Sequence, residues 1–221
     1  MSDEIVPGYT ATRRALHAVA EQVLAGALHR ATGRIGLRAT PDGFGTPWFS
    51  GRRLRVAGVD LVVEDGDAVR RAPLTTLGEA AAFAGIEPGA PDVYPPATEP
   101  APDAPLALDP TAAAAVHDWF RVVADALAVW RDEVADRQPN EVQLWPEHFD
   151  LALVAGKVNY GGSPGDDGHA APYAYVGPWR TDGLVGEYWN EPFGASRPAA
   201  EVDGPDDVLA FFRRAPLVSS E

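Results

Sequence analysis

A proline-rich stretch near the middle of the chain limits what this sequence can fold into more than any other feature. Eight prolines occur between positions 88 and 110 of the 221 residues. Proline lacks a backbone N–H and fixes φ, so this stretch cannot supply a helix or an inner strand. We predict an extended, semi-rigid connector over residues 88–109. Two arrangements stay open: the connector separates two domains, or it lies across one shared core.

Charge is distributed unevenly on the two sides of this connector. Residues 1–86 contain ten basic and nine acidic side chains, whereas residues 87–221 contain eight basic and 23 acidic ones, and the net charge of the whole chain is −14. Such an acidic chain is poorly suited to nucleic acids, because binding them depends on neutralising phosphates. We therefore predict an N-terminal half at 1–87 and an acidic, aromatic-rich C-terminal half at 110–221, with no nucleic-acid partner.

The composition excludes several further classes of protein. Cysteine is absent, which excludes disulfides, thiolate metal sites and cysteine nucleophiles. Hydrophobic residues make up 46% of the chain, too many for a disordered protein. No apolar run approaches the roughly 18 residues of a membrane span, and the first ten residues lack the basic and apolar regions of a signal peptide. We expect a cytoplasmic protein with no membrane partner.

Hydrophobic periodicity predicts the main elements of the first half. A helix of about 20 residues, capped by Thr10 or Thr12 and closed by Gly33, should carry an apolar stripe with 3.6-residue spacing. Arg34–Arg38 alternates like a strand, and 53–56 and 59–63 read as a hairpin. Thr76 and Glu79 form a capping box for a short helix that ends at Gly85. The stripe of the first helix consists of Leu16, Val19, Ala20, Val23, Leu24, Ala27 and Leu28.

The second half repeats this order of elements. Asp109 and Pro110 should begin a long helix, and 142–154 should form strands interrupted near Pro146. Residues 173–176 and 184–189 are further strand candidates, and a last helix should start near Pro205. The long helix has its own apolar stripe, made by Val116, Phe120, Val123, Leu127, Trp130 and Val134.

This repeated order predicts an α+β fold with two similar helix–strands–helix halves. His17 and His117 occupy matching points of the two long helices, 100 residues apart. An internal duplication would explain the likeness, but α+β chains often share such an order by chance. We expect both histidines to be hydrogen-bonded donors at the edge of a core, facing each other if the halves pair.

The densest cluster of reactive side chains lies between residues 145 and 169. If 147–151 is extended, His148 and Asp150 share one strand face, and His169 could complete a facial set of metal ligands. Imidazole and carboxylate suit a divalent ion such as Fe, Mn or Zn, with a carboxylate of Glu147 or Asp167 as general base. The alternative is that His148 is hydrogen-bonded, Asp150 caps a turn and His169 is solvated.

Aromatic and amide side chains of the second half form a second candidate site. Five of the six tryptophans lie there, beside Gly and Pro residues that rigidify the turns. Such rings line small-molecule pockets, although they also fill cores. The candidate ligand-binding residues are Trp145, Asn159, Tyr173 and Trp179.

Several segments resemble a group of uncharacterised, mainly actinobacterial proteins. The likeness covers most of the chain, and it implies no activity, cofactor or catalytic residue. It rests on residues 143–152, 159–161 and 173–179 of the second half, and on 32–38 and 44–47 of the first.

Two function hypotheses therefore follow from the sequence, which leaves enzyme activity open. In the first, the protein binds a small ligand or a metal, and a metal-dependent enzyme activity would use the same residues. In the second, it is a non-catalytic interaction protein whose acidic, aromatic second half binds a basic partner.

Overall fold

The computed structural model describes residues 6–216 and combines helices with two antiparallel sheets, so the predicted α+β class is confirmed. None of the helices in residues 6–216 has the length and apolar content needed to cross a membrane. Helix α1 (Tyr9–Val19) continues through a π-helical turn (Ala20–Ala25) into α2 (Gly26–Thr32), and the later helices are α3 (Leu77–Ala84), α4 (Pro110–Glu133) and α5 (Pro205–Arg213).

Each sheet has five strands. The first sheet follows chain order, with β1 (Arg38–Thr40), β2 (Gly43–Gly45), β3 (Arg52–Ala57), β4 (Asp60–Asp65) and β5 (Ala68–Pro73). The second has the order β10-β9-β8-β7-β6, with β6 (Gln143–Trp145), β7 (Asp150–Ala155), β8 (Val158–Ser163), β9 (Tyr173–Pro178) and β10 (Ala195–Pro198). Neighbouring strands follow one another in the chain, as in an antiparallel meander; most are joined by short connections, and a longer loop joins β9 to β10.

The described chain divides into two compact units whose limits differ from the predicted halves. The N-terminal unit comprises residues 6–118 together with Leu144–Phe149, and so includes the proline-rich stretch. The C-terminal unit comprises Trp119–Gln143 and residues 150–216. The predicted connector is therefore part of the N-terminal unit.

The first helix has the predicted stripe and the predicted end, but not the predicted start. Gly33 ends it in the left-handed conformation, with φ of 72°. Its N-cap is Gly8, so the caps predicted at Thr10 and Thr12 are wrong. Thr12 lies inside the helix, where its hydroxyl accepts a hydrogen bond from the backbone N–H of Asp109 (2.9 Å).

The proline-rich stretch (residues 86–109, hereafter the strap) lacks helix and strand, as predicted, and lies against the first helix. Glu21 is completely buried and accepts bonds from the backbone N–H groups of Ala97 (2.9 Å) and Thr98 (2.8 Å). One turn on, a Cβ at Gly26 would overlap the carbonyl oxygen of Gly89. The π-helical turn therefore presents a buried carboxylate to two backbone N–H groups of the strap.

Strand predictions were accurate where turn residues bounded the strand. The hairpin predicted at 53–63 is confirmed as β3 and β4, and the capping box of α3 is confirmed by the bond from the Glu79 N–H to Thr76 Oγ1 (3.0 Å). The strand predicted at 34–38 is wrong, because β1 begins only at Arg38. The strand predicted at 184–189 is also wrong, because these residues belong to the loop between β9 and β10. Strands β2, β5, β8 and β10 were not predicted.

The two long-helix histidines are hydrogen-bond donors of the N-terminal unit, as expected; His17 is half-buried and His117 is buried. His17 Nε2 lies 2.7 Å from the carbonyl oxygen of Pro146, and His117 Nε2 lies 3.0 Å from that of Gly58. Because a carbonyl only accepts, both Nε2 atoms carry the proton. The two imidazoles do not face each other directly: Phe149 and Phe44 stand between them, with successive ring-centroid separations of 5.2, 5.3 and 6.0 Å.

Candidate functional site

The candidate site lies on one face of the second sheet, in the C-terminal unit. Alternation along the strands places Leu151, Gly162 and Ala174 on the same face of the sheet. Helix α4 covers this face, because a Cβ at Gly162 would overlap the side chain of Val123 in that helix. The cross-strand row Ala152, Gly161, Tyr175 and Ser196 belongs to the other face. Asp150 and Tyr173 have the same parity and share this second face.

Asp150 and Tyr175 form the first pair of the site. The Tyr175 hydroxyl donates a hydrogen bond to Asp150 Oδ2, and Asp150 is buried. The phenol reaches the carboxylate across Gly161, where a Cβ would lie 2.8 Å from the hydroxyl oxygen. Burial, followed by the charge of Asp150, raises the pKa of Tyr175 well above its ordinary value. The phenol therefore stays protonated and acts as the hydrogen-bond donor.

Asp166 forms the second pair with Tyr173. The Tyr173 hydroxyl donates to Asp166 Oδ2 (2.5 Å), while Oδ1 accepts from the backbone N–H groups of Gly168 and His169 (2.7 Å each). Burial alone would raise the pKa of Asp166, but these hydrogen bonds outweigh it and the pKa is lowered. Asp166 is therefore an ionised carboxylate at neutral pH.

His169 and Glu191 connect this pair to strand β10. His169 Nε2 lies 3.0 Å from Glu191 Oε1 and donates to it, and the Ser196 hydroxyl donates to the same oxygen (2.7 Å). The bond from Ser196, helped by His169 and opposed by burial, lowers the pKa of Glu191. On its other side, His169 Nδ1 lies 3.7 Å from Asp166 Oδ1. The imidazole thus stands between two carboxylates.

Aromatic rings lie close to one another beside these carboxylates. The ring of His169 lies 4.6 Å from that of Tyr173, which lies 6.2 Å from Tyr175, and Phe193 is 6.5 Å from both tyrosines. We call Asp150, Asp166, His169, Tyr173, Tyr175, Glu191 and Phe193 the carboxylate–tyrosine cluster. It combines three carboxylates with four rings, and none of its members carries a permanent positive charge.

Three of the residues predicted from the sequence meet in this cluster: Asp150, His169 and Tyr173. Asp167 is exposed beside Asp166, so the carboxylate that the loop orders is its neighbour. Asn159 lies on β8, on the same face as Gly161, and Trp179 follows the end of β9 and is exposed.

The other predicted residues, Trp145, Glu147 and His148, belong to the N-terminal unit. Residues 146–149 form a tight turn, in which the backbone N–H groups of His148 and Phe149 both point to the carbonyl of Trp145. Phe149 has a left-handed backbone, with φ of 54°. The premise that 147–151 is extended is therefore wrong, and strand alternation does not place His148 beside Asp150.

The predicted metal site gains no support from the described geometry. Among residues 6–216, no group of three or more His, Asp or Glu side chains is arranged to hold a metal ion. His169 is instead hydrogen-bonded to Glu191, and Asp150 to Tyr175.

Sequence reasoning missed Tyr175, Asp166, Glu191 and Phe193. The pattern Tyr173-Ala174-Tyr175 on a predicted strand already placed both phenols on one face, and this signal could have been used. The spacing of Asp166 to Gly168 and His169 is that of an Asx turn, which favours Asp166 over Asp167 as the ordered carboxylate. Glu191 and Phe193 carry no such local signal, because their position depends on where the loop after β9 returns to the sheet.

Comparisons with family models, with curated proteins and with solved structures all give no match to this chain. The functional argument therefore rests on the geometry and the chemistry of the cluster.

Proposed function

We propose that the C-terminal unit binds a small organic cation, an amine or a guanidinium, at the carboxylate–tyrosine cluster. The observation that carries this proposal is the meeting of three carboxylates and four aromatic rings, contributed by one face of the second sheet and by the loops beside it. The C-terminal unit as a whole is also negatively charged, since Trp119–Gln143 and residues 150–216 contain 15 acidic and eight basic side chains.

The two kinds of group recognise different features of such a ligand. Carboxylates form charge-assisted hydrogen bonds with ammonium or guanidinium N–H groups, and a guanidinium can bind in two-pronged fashion. The faces of tyrosine and phenylalanine rings attract a cation within about 6 Å through their quadrupoles. The phenol bonds hold Asp150 and Asp166 in place, so little ordering is needed on binding.

A metal-dependent activity stays a prediction from the sequence. It would need Fe, Mn or Zn held by His148, Asp150 and His169, and the described residues include no such group. An organic cation requires only the carboxylates and rings that the cluster already contains, and for this reason we favour it.

Isothermal titration calorimetry with N-acetylarginine amide tests the proposal. We expect Asp150→Asn and Glu191→Gln each to weaken binding about tenfold, since a charge-assisted hydrogen bond contributes about 1.5–3 kcal/mol. Asp132→Asn, on an exposed position of α4, is the matched control and should bind like the wild type.

The affinity for N-acetylarginine amide should also depend on the salt concentration. Affinity should fall as ionic strength rises, because screening weakens attraction between charges. If the wild type does not bind, or if the cluster variants bind as tightly as Asp132→Asn, the proposal is wrong. Thermal melts of each variant establish that it is folded.

We also propose that the two parts of the chain arose by internal duplication. Helix, five-stranded meander and short helix follow one another twice, as α1–α2, β1–β5 and α3, then as α4, β6–β10 and α5. Superposition of β1–β5 on β6–β10 in chain order tests this: a common backbone path for all five strands supports the duplication, and strands that do not superimpose contradict it. Two further proposals come from the sequence alone: membership of the actinobacterial group and a cytoplasmic location. Cell fractionation tests the location.

A further inference from the structure

The loop between β9 and β10 (residues 179–193, hereafter the docking loop) exposes three large apolar side chains. Trp179 is 63% exposed, Val185 81% and Phe193 37%. Long loops held by a rigid sheet commonly carry binding functions. Three such side chains within 15 residues offer another molecule apolar contacts.

The base of the docking loop is firmly anchored within the C-terminal unit. The Asn190 side chain brackets Ser196, donating to its carbonyl (3.1 Å) and accepting from its N–H (2.9 Å). The Tyr188 hydroxyl donates to the carbonyl of Phe211 (2.9 Å), and the two rings stack at 5.2 Å. These contacts fix where the chain returns to the sheet.

The charge of the docking loop fits a basic partner. Residues 179–193 contain three acidic side chains, Asp182, Glu187 and Glu191, and one basic side chain, Arg180. The loop is also continuous with the carboxylate–tyrosine cluster, because Glu191 and Phe193 belong to both. Apolar contacts and negative charge are therefore presented side by side.

We propose that the docking loop and the cluster together bind an extended basic segment of a partner protein, with one arginine or lysine side chain in the cluster and flanking apolar side chains against the loop. This inference rests on the proposed cation site and names the source of the cation. A free amine would use the cluster alone, and it would leave Trp179 and Val185 without a role. Exposed tryptophans beside charged groups are typical of the residues that dominate protein–protein binding.

Peptide binding distinguishes this inference from the proposed function. The probes are an acetylated, amidated seven-residue peptide with a central arginine between two leucines, the same peptide with glutamine at the centre, and N-acetylarginine amide. We expect the arginine peptide to bind at least tenfold more tightly than N-acetylarginine amide, and also more tightly than the glutamine peptide.

Variants assign the two contributions. Val185→Ser should weaken binding of the arginine peptide and leave N-acetylarginine amide unaffected, whereas Asp150→Asn should weaken both. Val69→Ser makes the same change at a valine that is 64% exposed in the N-terminal unit, and it is the matched control for Val185→Ser. If N-acetylarginine amide binds but the peptide gains nothing, the docking inference is overturned and the cation site stands. If neither binds, both proposals fail, and a glutamine peptide as tight as the arginine peptide also overturns the inference.

Discussion

Replacing Glu21 by glutamine is expected to lower the free energy of unfolding by about 3 kcal/mol, because hydrogen bonds to a buried charged group contribute about 1.5–3 kcal/mol each. The carboxylate accepts from the backbone N–H groups of Ala97 and Thr98 and from the Thr98 hydroxyl (2.5 Å). Glutamine has the same shape as glutamate, but its amide has an NH2 donor in place of one acceptor oxygen. This donor would then face a backbone N–H, with which it cannot form a hydrogen bond. Chemical denaturation measures the loss.

Glu99→Gln is the control for this substitution. Glu99 follows Thr98 in the strap but is exposed, and its replacement should change stability by less than about 0.5 kcal/mol. Amide hydrogen exchange adds a local readout, since the N–H of Thr98 should lose protection in Glu21→Gln. Equal stability of the two variants would show that the strap does not depend on the buried carboxylate.

The N-terminal unit is expected to lose stability as pH falls below neutrality. Burial lowers the pKa of His17 and of His117, against the opposing effect of their bonds to the Pro146 and Gly58 carbonyls. The unfolded chain therefore takes up protons near pH 6.5 while the folded chain does not. Stability should be unaffected above this pH and fall below it, by up to about 1.4 kcal/mol per pH unit for each histidine.

Denaturation between pH 8 and 5.5 measures this slope. In the double variant His17→Gln/His117→Gln, the amide N–H can still donate to the carbonyl but does not titrate, so the slope should flatten. The carboxylates whose pKa values are lowered, such as Asp166 and Glu191, act in a separate range. Their contribution is present above about pH 4.5 and disappears below it. A slope unchanged in the double variant would contradict the assignment to the histidines.

Much of the secondary structure could be predicted because its signals are local. The apolar stripe of α4 needs only 3.6-residue spacing, and Asp109 caps that helix through the N–H of Ala112 (2.8 Å), as its position before Pro110 predicts. Prolines likewise excluded regular structure from the strap. Where the strap lies could not be predicted, because that depends on two polar residues, Glu21 and Gln22, inside an otherwise apolar helix face.

Local sequence signals likewise predicted only part of the candidate site. Tyr173 and Asp150 could be selected from residue type and strand context, but the pairing of His148 with Asp150 assumed an extended chain. The left-handed backbone of Phe149 breaks that assumption, and an aromatic residue gives no sequence signal for such a conformation. Glu191 enters the cluster through a loop of 15 residues, whose path is set by tertiary contacts such as those of Tyr188 and Asn190.

The most direct test of the cation site is to locate a bound ligand by NMR. Titration of isotope-labelled protein with N-acetylarginine amide should shift the signals of Asp150, Asp166, Tyr175 and Glu191 the most, with signals of the N-terminal helices unchanged. Saturable shifts confined to the cluster are the predicted result. Shifts that are largest elsewhere, or the absence of any saturable shift, would contradict the account.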